Sequence, residues 1–381
     1  MGTAQNKSSI SRLSVSYILR WFSPRWFIFV MGTGALANVY QMIAGRPTGT
    51  LHVAAVILLL IALVAFPVAS FLMIIRFIVG FDCVLKEWRH ASLIQFYSAI
   101  SISAAVCVTG LLNIPVTFIP TGVVHTISIT LWWISCLTGI LFIFFTPYKV
   151  MTENHAEPRR ALGFWFLPPV GLFVLVFAGN FLALRMLSNT LIYALLLFNI
   201  LVLGVAIVLT VIFYTFVLFR YFFYNFPRKD VAPSFMIGVA PVGVFIIAIN
   251  TLLPVVAKSG LSIEGLSFIG LIIKIVSLLI WSFGLWWLVV ASMVILTYFI
   301  KQGVPVTLGY WAFIFPPAAY TIASLIVAKT LNLVFIKYIA IALAGLLTVA
   351  WIINVVLTIR GMIDRTIFDV SPTFKGDIPY L

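Results

Sequence analysis

The carboxylates and histidines able to do acid–base or metal chemistry in this chain are few, and none sits at the centre of a long apolar run. The nine carboxylates, Asp82, Glu87, Glu153, Glu157, Asp230, Glu264, Asp364, Asp369 and Asp377, lie in polar stretches, at the ends of apolar runs or in the carboxy-terminal tail. His52, His90, His125 and His155 are placed alike, and Cys83, Cys107 and Cys136 are scattered without metal-ligand spacing. Side-chain selection of cations and proton relay across a membrane use buried Asp, Glu or His, so both are disfavoured. An intramembrane enzyme would lack its general acid and base. His90 with Glu87 and Arg89 is the one close grouping. A membrane enzyme or receptor with a surface cleft is the competing function and would have to use it; capping the third apolar run is its simpler role.

The elements that must position any site are membrane helices. Of 381 residues 63% are hydrophobic and 8% charged, against about a quarter charged in a soluble domain. Ten stretches are long enough to cross about 30 Å of hydrocarbon. They run approximately over 22–44, 52–80, 91–113, 123–147, 162–184, 189–223, 231–257, 265–300, 305–328 and 332–360. The expected organisation is a cytoplasmic segment 1–21, a membrane domain 22–360 and a cytoplasmic tail 361–381. The first apolar run lacks a small-residue cleavage site, so no removable signal is expected. Asn6 stands where a myristoylation pattern wants Ser or Thr.

The net charge of +14 follows from topology rather than from nucleic-acid binding. Seventeen Lys and Arg fall before the first span or between even and odd spans and in the tail, against five on the other side. The positive-inside rule then puts both termini in the cytoplasm of a multi-pass protein of the cell membrane. Lys274 alone lies well inside a span, the eighth, and is expected to face an interhelical crevice or a subunit contact.

The odd spans carry the helix-perturbing residues. Span 1 has Gly32 and Gly34 in MGTGALAN, span 5 has Pro168, Pro169 and Gly171 in FLPPVGLF, span 7 has Pro241 and Gly243 in GVAPVGVF, and span 9 has Pro316 and Pro317 in YWAFIFPPAAY. Gly171 and Gly243 are 72 residues apart, and Pro241 and Pro317 are 76 apart. A period of about one helical hairpin makes the chain an all-α integral membrane protein of five pseudo-repeated hairpins. Placing the perturbed helices inside encloses a central pore, because lipid cannot satisfy the backbone groups that a mid-helix proline frees. Neutral donors on those helices, Thr33, Asn38, Gln95, Ser101, Asn180, Asn250 and Thr321, together with a basic approach, suit a small anion. The alternative role for each is packing between helices. No cofactor or metal is expected; lipid is the solvent.

At MGTGA, PPVG, APVG and WAFIFPP the chain resembles the tellurite-resistance/dicarboxylate transporter family, which also holds yeast malic acid and sulfite transporters and plant guard-cell slow anion channels. The resemblance covers all ten spans. It implies five hairpins around an anion pore, a homotrimer with one pore per subunit, and a phenylalanine of the ninth helix that plugs the pore. By position that gate is Phe315, with Phe313 next; alternatively both pack between helices. Span 3 departs from the pattern in having no proline. The MGTG segment is most like the malate and sulfite branch, which implies a C4-dicarboxylate such as malate, then sulfite, tellurite or another inorganic anion.

Overall fold

A computed structural model describes residues 14–154, 158–186, 188–225, 227, 229–261, 264–302 and 308–368. Residues 1–13 and 369–381 of the two expected terminal segments lie outside them. The described chain is helical, with no strand among the described residues. Ten helices are long and apolar enough to cross a membrane. We number them α1 (Trp26–Ala44), α2 (Thr50–Val79), α3 (Ser98–Asn113), α4 (Thr121–Lys149), α5 (Leu167–Ala183), α6 (Asn189–Phe223), α7 (Ala240–Lys258), α8 (Leu266–Gln302), α9 (Phe315–Leu331) and α10 (Val334–Ile363).

Each odd helix packs against the even helix that follows it, giving the five hairpins. The odd helices also pack against one another in the order α1, α3, α5, α7, α9, and α9 returns to α1. This closes a five-membered ring. Burial follows the same division: 56–94% of the most apolar window of each odd span is buried, against 17–44% for the even spans. The even helices present Leu, Ile, Val and Phe outward, as lipid contact requires. All odd helices begin at one end of the bundle, here the start side, and end at the far side. Turns are tight there: Gly45 ends α1 at φ 65°, and Asn332 ends α9 at φ 55° with only Leu333 before α10.

The prolines at the starts of spans 5, 7 and 9 do something other than bend continuous helices, although Pro67, Pro147 and Pro254 do lie inside α2, α4 and α7. Pro168 and Pro169, Pro241, and Pro316 and Pro317 occupy the first turns of α5, α7 and α9. Each helix is preceded by a separate short element: Gly163–Phe166, Ser234–Ile237 and Leu308–Phe313. The expected mid-helix kink is thus a break. A first-turn N–H has no intrahelical acceptor, so proline loses nothing there, while without an N–H it cannot bond back into the turn that precedes the helix. Span 3 is built the same way without a proline, as the turn Ile94–Tyr97 leading into α3.

The glycines likewise serve contact rather than bending. A methyl on Gly32 would stand 3.3 Å from Ile314 and Trp311, on Gly34 2.7 Å from Val106 of α3, and on Gly171 3.5 Å from Ile102 of α3. On Gly243 it would meet the backbone of Ala319 and Tyr320 at 2.5–2.6 Å. Gly34 and Gly243 let neighbouring ring helices approach closely, as small residues do wherever membrane helices pack, while a methyl on Gly171 would make only ordinary contact. Gly243→Ala must therefore push α7 from α9, at a cost of about 1–3 kcal/mol. Its unfolding midpoint in detergent should fall below wild type, whereas Gly345→Ala, where the methyl meets open space, should not lower it; equal midpoints for the two variants would contradict the tight seam.

Candidate functional site

The ring encloses a cavity of about 670 Å³ reached from the far side. Every odd helix contributes to its wall, through Asn38 of α1, Thr109 of α3, Phe177 of α5, Ile247 of α7 and Ile322 of α9 among others. On α9 the lining residues Phe315, Ala319, Ile322, Ile326 and Thr330 recur every three or four positions, the mark of one helical face. The wall is largely apolar, with Gln41, Asn38, Asn113, Asn250, Thr251 and Thr330 as neutral polar groups, Lys274 and Lys329 as cations, and no carboxylate among the described residues that line it.

Toward the start side the lumen narrows to a space of about 10 Å³, near the least that holds one water molecule. Ile28, Met31, Phe96, Phe164, Leu167, Val170, Ile237 and Ala240 border it, together with Phe315 and Pro316. Phe315 is the one residue that lines both spaces. It is 3% exposed and opens α9 immediately before the two prolines. Ile314 alone separates the turn Leu308–Phe313 from α9, which makes Phe315 the first residue of α9. The first residues of α5 and α7, Leu167 and Ala240, border the same space. Three helix amino termini thus converge on the constriction, and their partial positive charge favours a nearby anion.

Other sequence candidates fall elsewhere. Phe313 lines neither space; the turn before α9 points it into a cluster with Tyr310 and Phe299, at ring distances of 5.6 and 6.5 Å. Of the neutral donors, Asn38 and Asn250 reach the cavity. Thr33, Ser101, Asn180 and Thr321 are fully buried and engaged with protein. Thr33 Oγ1 accepts from Trp351 Nε1 at 3.1 Å, and Ser101 Oγ donates to the Ser135 carbonyl at 2.8 Å. Asn180 Nδ2 donates to Thr251 Oγ1 at 3.1 Å, and Thr321 Oγ1 donates to the Pro317 carbonyl at 2.8 Å. Thr33, Ser101 and Asn180 are thus taken up at seams between helices and Thr321 within α9 itself. Gly32, Gly34, Gly171 and Gly243 occupy seams, and of the prolines only Pro316 borders the lumen.

Lys274 lines the cavity instead of facing a crevice away from it. Thr109, Gln41, Asn113 and Thr330 were not singled out from the sequence, although each continues a luminal stripe. The Glu87 grouping is also redirected: its carboxylate lies 2.8 Å from buried Arg76 and accepts from Tyr97 Oη at 2.9 Å. This pins the loop after α2 to span 3. His90 Nδ1 faces the backbone N–H groups of Ser92 and Leu93 at 3.3 Å, a capping arrangement. Burial, then the neighbouring Arg160, push His90 down to about 4. Among the described residues no group of three His, Cys, Asp or Glu is placed to hold a metal.

A sequence model of the voltage-dependent anion channel family, SLAC1, matches residues 21–359. An uncharacterized transporter of Methanocaldococcus jannaschii is 28% identical over 351 residues, 92% of this chain and 96% of that protein. A sulfite efflux pump of Arthroderma benhamiae is 24% identical over 358 residues, 91% of this chain and 92% of the pump. A sulfite efflux pump of Trichophyton rubrum is 23% identical over a similar span.

His90 gives a pH signature. It stays neutral in the fold until about pH 4, whereas an unfolded histidine takes its proton near 6.5. Its neutral form therefore favours folding fully above about pH 6.5, and that stability drains as pH falls toward 4, by on the order of 3 kcal/mol in all. Detergent unfolding midpoints should drop across that window in wild type and drop less in His90→Gln; parallel curves would contradict the placement of His90.

Proposed function

The chain belongs to the voltage-dependent anion channel (SLAC1) family and is a multi-pass anion transport protein rather than an enzyme, and from that premise we propose that anions cross along the axis of the five-helix ring, with Phe315 as the gate. One observation carries this: Phe315 stands between a wide vestibule and a space barely large enough for water. Beyond it the lumen is apolar, so it dewets and blocks ions while the ring is seated. A change of χ1 swings the ring off the axis without moving the backbone. Cations are discouraged by a wall that carries two lysines and no described carboxylate.

The proposed cargo is a small oxyanion of the sulfite class. The narrowness under Phe315 favours a compact ion, and the fungal relatives that export sulfite support it. A C4-dicarboxylate such as malate is the second reading, favoured by a vestibule of about 670 Å³ with two separate cations on its wall. The start side is assigned to the cytoplasm of the cell membrane with both termini there, on the strength of the Lys and Arg distribution. The ring closes within one chain, so the homotrimer that the family resemblance implies would run three parallel pathways.

Sulfite and malate fluxes into proteoliposomes test the gate. Phe315→Ala should raise flux about tenfold or more, as opening an apolar constriction does, while Phe313→Ala leaves it near wild type. Equal flux for wild type and Phe315→Ala, with both proteins folded and inserted, would remove Phe315 from the gate. Competition between the two anions ranks them: sulfite displacing malate at lower concentration supports the compact ion, and the reverse order supports the dicarboxylate.

A further inference from the structure

The cations at the far side are not equivalent. Lys258 Nζ donates to the carbonyls of Leu184 and Met186 at 2.8 and 2.7 Å, and Arg185 Nη2 donates to the Leu112 carbonyl at 2.7 Å. Both hold loops. Lys274 and Lys329 line the cavity, are exposed to it, and have no hydrogen bond or ion pair among the described residues.

Their depths are related through the contacts between α8 and α9. Trp281 Nε1 donates to Ser324 Oγ at 2.8 Å, and Tyr320 Oη donates to the Trp281 carbonyl at 2.8 Å. These bonds set Trp281 level with the turn of α9 from Tyr320 to Ser324. The two helices run in opposite directions, so Lys274 is displaced from that level toward the far side by seven residues of α8 and Lys329 by five to nine residues of α9. At 1.5 Å per residue the displacements are about 10 Å and about 8–14 Å, which leaves the two lysine positions within roughly 3 Å of each other in depth. Asn250 Nδ2 donates to Ser277 Oγ at 2.8 Å, one helical turn from Lys274. That bond fastens α8 to α7 and fixes the register at which an outer helix delivers a lysine to the lumen.

We propose that Lys274 and Lys329 form a two-cation site in the vestibule that binds doubly charged oxyanions in preference to monovalent anions. Two unpaired ammonium groups sharing a cavity at one depth repel each other. A dianion between them answers both charges, whereas chloride or nitrate answers one. Asn250 and Thr330 share that wall, but their N–H and O–H groups are given to Ile246, Ser277 and Ile326, so the two lysines alone carry the attraction for an anion. The site deepens the oxyanion pathway proposed above and rests on it for any effect on transport, but binding stands independently of conduction.

Calorimetric titration of the detergent-purified full chain at alkaline pH, with sulfite, malate, nitrate and chloride as separate probes, tests the site. Wild type should bind sulfite or malate more tightly than nitrate or chloride. Lys274→Gln and Lys329→Gln should each weaken dianion binding about fivefold to tenfold, the scale of one added charge contact in a wet cavity, and change monoanion binding by no more than about twofold. Lys274→Arg should keep the preference, which separates charge from packing, and unfolding midpoints near wild type exclude a folding defect. Equal affinity for sulfite and nitrate in wild type, or a Lys274→Gln/Lys329→Gln double variant that binds dianions as wild type does, overturns the proposal. Phe315→Ala flux reports on the pathway separately: an unchanged flux there with the lysine-dependent preference intact rejects the gate and leaves the binding site standing.

Discussion

Hydrocarbon offers no hydrogen-bond partner, so a membrane helix can be interrupted only where other protein or water takes up the freed backbone groups. The architecture depends on that constraint. Spans 3, 5, 7 and 9 all begin with a short turn or helix followed by a longer one, and each interruption is placed inside the bundle. The even helices, continuous through Pro67 of α2 and Pro147 of α4 and up to 37 residues long, form the outer wall that shields them. Glycines at the seams let the inner helices close into a ring, and closure converts several breaks into one constriction.

The same constraint explains the electrostatics. A break near the axis leaves helix amino termini pointing at the narrowest part of the lumen, where their partial charge favours anions without a fixed ionised group. Ionised side chains are held to the wide end, where water can solvate them, and there the wall carries lysines rather than carboxylates. An aromatic ring can close such a lumen because its walls are apolar on the start side, with Ile28, Met31, Phe164, Leu167 and Val170 around it.

Much of this was legible in the sequence because it repeats. The lengths of the apolar stretches marked the ten spans, and the PVG segments at 169–171 and 241–243 with the double proline at 316–317 marked equivalent positions that divided them into inner and outer classes. The chemistry of the prolines was misassigned: a proline in an apolar run is compatible with a kink or with a helix start, and only chain geometry distinguishes them. Polar residues were less legible still. Asn250 reaches the lumen while Asn180, also on an inner helix, bonds to Asn199 and Thr251 at a seam. Residue type carries no information on which face of a ring helix a side chain occupies; the 3.6-residue stripe from Phe315 to Thr330 does, and it would have included Lys329. Lys274 was hidden for another reason, since it comes from an outer helix whose register is set by bonds through Ser277 and Trp281.

The central claim is that anions travel through the middle of the ring and not between subunits or along the lipid face. Thiol modification tests it most directly, in a background where buried Cys83, Cys107 and Cys136 are replaced. With Ile322→Cys, on the luminal stripe of α9, a water-soluble bulky thiol reagent added from the far side should abolish anion flux. The same reagent on Gly345→Cys, on the outer face of α10, should leave flux intact. Complete labelling of Cys at position 322 with flux unchanged would contradict the account.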